Sequence, residues 1–273
     1  FRDAKAVVPE HLKIGLDDFT KKLMSGGNGG KRISIRGSVF RMIVDGKEIA
    51  QNEDRSMDVV IVNVAEHTSR AFYSGTYQEG QNASPDCWSN DGKTPDARAE
   101  NPQASRCEIC PMNIAGAGGQ KGRPCRYSRR LAVVMGNDIE HSDVYQLVLP
   151  AQSIFGKNDP MKMPFLHYVD HLGSWNISLR GVVTEIRFDT SSATPKLTFR
   201  AVRPLEQHEY EAVVAKGETP EALQAISYNP IPSAPKQEAA SQQFVAKPKV
   251  EALPEKAKEP VVREKKTTPA PQD

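Results

Sequence analysis

The 273-residue sequence predicts a mainly β fold with minor helical content, and three observations lead to that prediction. About seven β-like runs separated by turn signals extend from residue 32 to residue 202. They show no βαβ alternation and no Gly-rich nucleotide loop, which disfavours a doubly wound sheet. Residues 81–130 contain few apolar side chains and interrupt the strands as an insertion. These features together predict an OB-like antiparallel barrel that carries an insertion.

Composition sets limits on the class of protein. Lys+Arg 36 against Asp+Glu 34 gives a formal charge of +2, so any surface that attracts a polyanion must be local. No apolar run approaches the roughly 18 to 20 residues of a membrane span, and residues 1–5 lack the apolar core of a signal peptide. We therefore expect a soluble protein of the cytoplasm, or of the host cytoplasm if it is viral.

The sequence divides into three regions. In residues 1–30, apolar residues at helical spacing (Leu12, Leu16, Phe19, Leu23) precede a Gly-rich connection. Residues 31–229 form the predicted barrel domain, with its insertion at 81–130. Residues 230–273 contain eight of the 20 prolines and one aromatic residue, so they bury too little apolar surface to fold. We expect a disordered tail there.

The elements follow from periodicity and turn signals. Strands are predicted at 32–44, 58–65, 70–77, 131–135, 144–149, 177–188 and 196–202. An Asp45-Gly46 pair gives a turn signal after the first run. Helices are predicted at 163–172, 205–215 and 220–226.

All four cysteines fall within the insertion: Cys87, Cys107, Cys110 and Cys125. Nineteen, two and fourteen residues separate them in turn, and one tight pair with two loop-borne ligands suits a tetrahedral Zn²⁺ site. Because the segment is rich in Gly and Pro and poor in core residues, metal binding would supply its folding free energy, about 10 kcal/mol in small zinc modules. With all four positions taken by protein, the ion would be structural and not catalytic.

Other readings of the cysteines stay open. A [4Fe–4S] cluster also takes four cysteines, although such clusters usually crowd three of them within a few residues. Two disulfides would fit an oxidising compartment. A thioredoxin-like pair lacks the helix that it needs after Cys110, and a zinc deaminase lacks its His-x-Glu.

Residues 106–130 carry six basic side chains and one acidic one, a local excess of five positive charges. Aromatic residues lie near them in sequence, and a second basic group lies on the first strand. A protein that binds single-stranded nucleic acid needs basic side chains to contact the phosphates and aromatic rings on which unstacked bases can stack. The predicted nucleic-acid-binding residues are Lys31, Arg32, Arg36, Arg41, Tyr73, Tyr77, Trp88, Arg106, Lys121, Arg123, Arg126, Tyr127, Arg129 and Arg130.

These residues could also serve other purposes than nucleic-acid binding. The aromatic residues could pack in the barrel, and the arginine cluster could bind an acidic protein surface. No nucleophile elbow or phosphate loop is present, so no enzymatic activity is predicted.

An antiparallel barrel interrupted by four zinc ligands at Cys87, Cys107, Cys110 and Cys125, with basic and aromatic residues around them and a C-terminal tail, resembles the zinc-containing single-stranded DNA-binding proteins of tailed bacteriophages. The resemblance implies that the barrel carries the DNA groove, that zinc stiffens the insertion, and that the tail contacts replication partners. The chain departs from that family in having only cysteines where a His is frequent, and in a tail of mixed charge.

The function predicted from the sequence is therefore single-stranded DNA binding with a structural Zn²⁺, in replication or recombination. The alternative is a zinc-stabilised protein-interaction module, such as a virion component or an accessory subunit of a polymerase or transcription complex.

Overall fold

The computed structural model describes residues 30–75, 84–119, 122–157 and 159–228. Its strands are β1 (Arg32–Ser34), β2 (Phe40–Val44), β3 (Lys47–Asn52), β4 (Ser56–Val64), β5 (Ser69–Phe72), β6 (Cys87–Ser89), β7 (Arg126–Met135), β8 (Tyr145–Pro150), β9 (Val182–Phe188) and β10 (Leu197–Pro204). Its α-helices are α1 (Ala151–Ile154), α2 (Phe165–Ser174), α3 (Gln207–Gly217) and α4 (Pro220–Ile226).

One curled sheet organises the domain. Its strand order is β10-β9-β4-β7-β8-β1-β2-β3, and β5 with β6 branches from the first half of β7. Within the described residues the two end strands do not pair with each other, so the sheet is a half-barrel and not a closed barrel. All pairings on this path are antiparallel except β1 with β8, which is parallel. The sheet is therefore mixed, and the prediction of a wholly antiparallel sheet is wrong at this one pair.

The inner side of the half-barrel holds the larger core. Alternate residues of the central strands, such as Val59 and Ile61 on β4 and Leu131 and Val133 on β7, are fully buried there. Helix α2 packs its apolar face, including Tyr168, into the same cluster. The Tyr168 hydroxyl shares a 2.7 Å hydrogen bond with Thr184, and burial raises the pKa of this tyrosine to about 12.

The outer side of the central strands is also covered. Val60 and Val62 of β4 pack with Ala132 and Val134 of β7 beneath helices α3 and α4. This double burial explains why β4 and β7 appear in the sequence as nearly continuous apolar runs. Helix α4 starts with Pro220 after Thr219, whose hydroxyl accepts a hydrogen bond from the Ala222 N–H.

Most predicted elements have counterparts in the structure, with shifted limits. The first predicted run divides into β1 and β2 around a turn at 36–38, and the run at 177–188 is strand only from Val182 onward. Strand β7 begins directly after Cys125, so residues 126–130 of the predicted insertion belong to the main sheet. The predicted N-terminal helix, the Gly-rich connection before residue 30 and the tail at 230–273 lie outside the described residues.

Candidate metal centre and nucleic-acid interface

The cysteine insertion is built on a small three-stranded ladder. Strand β5 pairs with β6 on one side and with the first residues of β7 on the other. Cys87 opens β6 and Cys125 immediately precedes β7, so two of the four cysteines are positioned by regular strands. Between them the chain runs through turns, one of which is organised around Asp91.

Asp91 fixes the loop that follows β6. Its carboxylate accepts hydrogen bonds from the backbone N–H groups of Lys93 and Thr94 and from the Ser89 hydroxyl. Although burial alone raises the pKa of Asp91, these hydrogen bonds together hold it well below the usual range. The Cys107 N–H then donates to the Lys93 carbonyl at 2.8 Å, which ties the Cys-x-x-Cys pair to this loop.

All four cysteines line one small pocket. Cys87, Cys107, Cys110 and Cys125 are buried, and none of them is in a disulfide. Burial raises the pKa of the Cys87 thiol, and raises that of Cys125 to about 11. The electrostatic influence of the other three cysteines adds to the rise at Cys125, as expected for sulfur groups that lie close together.

Four sulfurs are a donor set that structural Zn²⁺ takes in proteins, so the residues at the pocket suit that ion. Across the described ranges, however, no group of three or more His, Cys, Asp and Glu side chains is arranged so as to hold a metal ion. The structure thus brings the thiols to a shared pocket without a formed coordination sphere.

Arg70 of β5 also lines the four-cysteine pocket. Its Nε atom is buried without a hydrogen-bond partner among the described residues, while its Nη1 donates to the Cys107 carbonyl at 3.4 Å. Arg70 also opposes the burial-driven rise in the pKa of Cys125. A buried cationic N–H group without an acceptor suits a neighbouring site that becomes anionic, as four metal-bound thiolates would be.

Tyr127 forms the centre of an aromatic and basic cluster beside the pocket. Its ring lies 4.3 Å from the Arg70 guanidinium and 6.0 Å from that of Arg123, and meets Phe155 edge-on at 5.9 Å. Its hydroxyl donates to Asn113, whose amide in turn donates to the Cys107 carbonyl. We call Arg70, Arg123, Tyr127 and Phe155 the Tyr127 cluster.

Two arginines of β7, Arg129 and Arg130, donate hydrogen bonds within the fold and do not belong to the Tyr127 cluster. Arg129 uses its Nε to donate to the Ala65 carbonyl at 3.0 Å and is half-buried. Arg130 is only 8% exposed, donates to the Ser69 hydroxyl at 2.7 Å, and lies 3.9 Å from the centre of the Tyr228 ring. The expectation that Arg130 belongs to a surface patch is thus corrected, because its guanidinium is enclosed within the fold.

Other predicted nucleic-acid residues are also separate from the Tyr127 cluster. Trp88 is 6% exposed and is a core residue, so no base can stack on it. Arg126 alternates with Tyr127 along β7 and therefore lies on the opposite face of the strand. Tyr73 is exposed and is not a member of the Tyr127 cluster. Arg106 is exposed and pairs with Glu108 at 3.0 Å.

The basic group of the first strands is remote from the cluster. Arg32 of β1 pairs with Gln146 of β8, which in turn pairs with Ala132 of β7. Tyr127 is five residues from Ala132 along β7, which at the rise of a β-strand is about 17 Å. Ion pairs also neutralise two members, because Lys31 contacts Asp143 and Arg41 contacts Glu48. Arg36 lies in the turn between β1 and β2. Tyr77 and Lys121 lie outside the described residues.

Sequence reasoning missed two members of the cluster. Phe155 is 28 positions from Tyr127 and reaches it only because β8 pairs with β7 and ends in helix α1. Arg70 was part of a predicted strand, and the signal that could have singled it out was a charged residue two positions before the buried Phe72.

In comparisons with protein-family models, curated protein sequences and solved structures, the chain has no significant match in any of the three. Among the described residues, no helix has both the length and the apolar character needed to cross a membrane.

Proposed function

We propose that the chain is a non-enzymatic single-stranded DNA-binding protein that acts in DNA replication or recombination. One structural Zn²⁺ is held by Cys87, Cys107, Cys110 and Cys125, and the half-barrel is an OB-like scaffold. The observation that carries the proposal is the Tyr127 cluster, which joins exposed aromatic and cationic groups to the four-cysteine pocket. The protein acts in the cytoplasm, or in that of a bacterial host if it belongs to a phage.

The chemistry of the cluster suits an unpaired strand. The ring of Phe155 is 43% exposed and offers a face to an unstacked base, which is worth roughly 1 to 3 kcal/mol per base. Arg123 is exposed beside the same rings and supplies charge for a phosphate. Zinc would hold the insertion, and with it Tyr127 and Arg123, in one arrangement. The tail at 230–273 is proposed to contact replication proteins.

Metal analysis and an oligonucleotide titration test this proposal. Purified protein should contain one zinc per chain, and its log affinity for single-stranded DNA should fall with log salt by about 0.7 per phosphate contacted. Phe155→Ala should weaken binding by about 5- to 150-fold, the equivalent of one lost stacking contact. Tyr210→Ala is the matched control, because Tyr210 is 41% exposed but lies on α3. Equal affinity for the two variants, or no binding at low salt, rejects the proposal.

The second candidate is a zinc-stabilised protein-interaction module, either a virion component or an accessory subunit of a polymerase or transcription complex. Two exposed isoleucines on the insertion favour it, Ile109 at 66% and Ile114 at 62% exposure. Exposed apolar side chains on a small rigid module suit a protein partner better than a polyanion. This candidate predicts bound zinc without measurable affinity for oligonucleotides.

A further inference from the structure

Arg70, a half-buried member of the Tyr127 cluster, also lines the four-cysteine pocket. In the three-stranded ladder it lies opposite Ser89 of β6 and opposite Tyr127 of β7. Its guanidinium is thereby held between the insertion and the aromatic ring, with one end in contact with the Cys107 carbonyl.

The hydrogen bonding of Arg70 is incomplete within residues 30–75, 84–119, 122–157 and 159–228. Nη1 reaches the Cys107 carbonyl at 3.4 Å, and the guanidinium carbon lies 4.3 Å from the centre of the Tyr127 ring. The Nε–H is buried at the pocket, and no acceptor for it lies in the part of the chain that the structure describes. A buried donor left unsatisfied is costly. The residues that share its pocket include the four cysteines together with the polar side chains of Ser89 and Gln103.

Four thiolates around one divalent ion carry a net double negative charge, which the half-buried guanidinium of Arg70 would offset in part. We propose that Arg70 is a positioning residue that couples metal binding to the Tyr127 cluster. With metal bound, its Nε–H would be a donor available to the cysteine sulfurs of the same pocket, while its guanidinium packs over the ring of Tyr127. This inference rests on the proposed zinc site. It adds Arg70 to that site as a residue that is not a metal ligand and that the cysteine spacing does not predict.

Zinc affinity measured by competition with a chromophoric chelator tests the coupling. Loss of an outer-shell partner typically lowers metal affinity by about 10- to 100-fold, and Arg70→Met should fall within that range. Arg70→Lys keeps the charge but not the planar donor set, so its loss should be smaller but measurable. Arg123→Met is the matched control, because Arg123 lies over the same ring but does not line the pocket.

A spectroscopic measurement separates positioning from general destabilisation. The Co²⁺-substituted protein should show thiolate-to-metal absorption in wild type and in Arg123→Met, with a shifted band in Arg70→Lys. Zinc affinities of Arg70→Lys and Arg123→Met that both equal wild type overturn the inference, even if Arg70→Met fails to fold. An equal loss in Arg123→Met and Arg70→Met also overturns it, since the ring contact alone would then explain the effect. Wild-type protein that binds neither Zn²⁺ nor Co²⁺ rejects the proposed zinc site itself.

Discussion

Arg123 and Arg130 lie seven positions apart, and replacing each by Ala should have opposite consequences. Arg130→Ala removes a hydrogen bond from a charged donor to Ser69, worth about 1.5 to 3 kcal/mol, and a desolvated contact with the Tyr228 ring, worth about 2 kcal/mol. Part of this is offset, because burial lowers the pKa of Arg130 to about 10 and the variant avoids that desolvation. We expect a net loss of about 2 kcal/mol, or a Tm lower by roughly 4 to 8 °C for a domain of this size.

Arg123→Ala should leave the Tm nearly unchanged, because exposed substitutions usually alter stability by less than about 0.5 kcal/mol. Its effect should appear in single-stranded DNA binding. Losing one phosphate contact reduces the salt slope by about 0.7, which is about a fivefold loss of affinity at roughly 0.1 M salt. Thermal unfolding by circular dichroism and fluorescence anisotropy at several salt concentrations measure both effects. An unchanged Tm with weakened DNA binding in Arg130→Ala would refute the reasoning from burial.

Two further predictions concern stability. Gly92 has φ of +70°, and a Cβ there would lie 2.5 Å from the Thr68 carbonyl oxygen, so Gly92→Ala should cost about 2 to 4 kcal/mol in urea unfolding. Gly118→Ala, at a φ of +63° with open space around it, should cost only about 1 kcal/mol, and equal costs would contradict the proposed clash. Arg203 lowers the pKa of Glu209 to about 2 from the ordinary 4.5, so this pair stabilises the fold above pH 4.5 and loses its effect as the pH falls to about 2. Glu209→Gln should therefore cost about 1 kcal/mol at neutral pH, and the difference from wild type should vanish near pH 2; a difference independent of pH would contradict this.

The fold was predictable where the sequence pattern reports burial. Strand β4 and helix α4 were found within two residues of their observed limits, because one is apolar on both faces and the other has a Thr-Pro start. Strand β3 was missed because its side chains are polar and exposed, although the Asp45-Gly46 turn marks its hairpin. The parallel pairing of β1 with β8 joins residues more than 100 positions apart, and no local pattern encodes it.

The candidate site divides in the same way. The four cysteines line one pocket, and the metal site that their spacing predicts stays a prediction. Counting arginines could not separate Arg123 from Arg130, because that requires knowing which neighbours cover β7. Phe155 could not be assigned from the sequence either, since its contact with Tyr127 depends on how β8 pairs with β7.

The two halves of strand β7 differ in how far their order should depend on the proposed metal. Its second half, from Leu131 to Met135, is fixed by β4 and by apolar packing on both faces, and needs no metal. Its first half pairs with β5 and leads directly from Cys125 to Tyr127, which is two residues away. The roughly 10 kcal/mol of a zinc module would therefore act mainly on the insertion and the Tyr127 cluster, leaving the half-barrel core intact when metal is removed. If the chain binds DNA as proposed, metal removal should therefore abolish that binding without global unfolding.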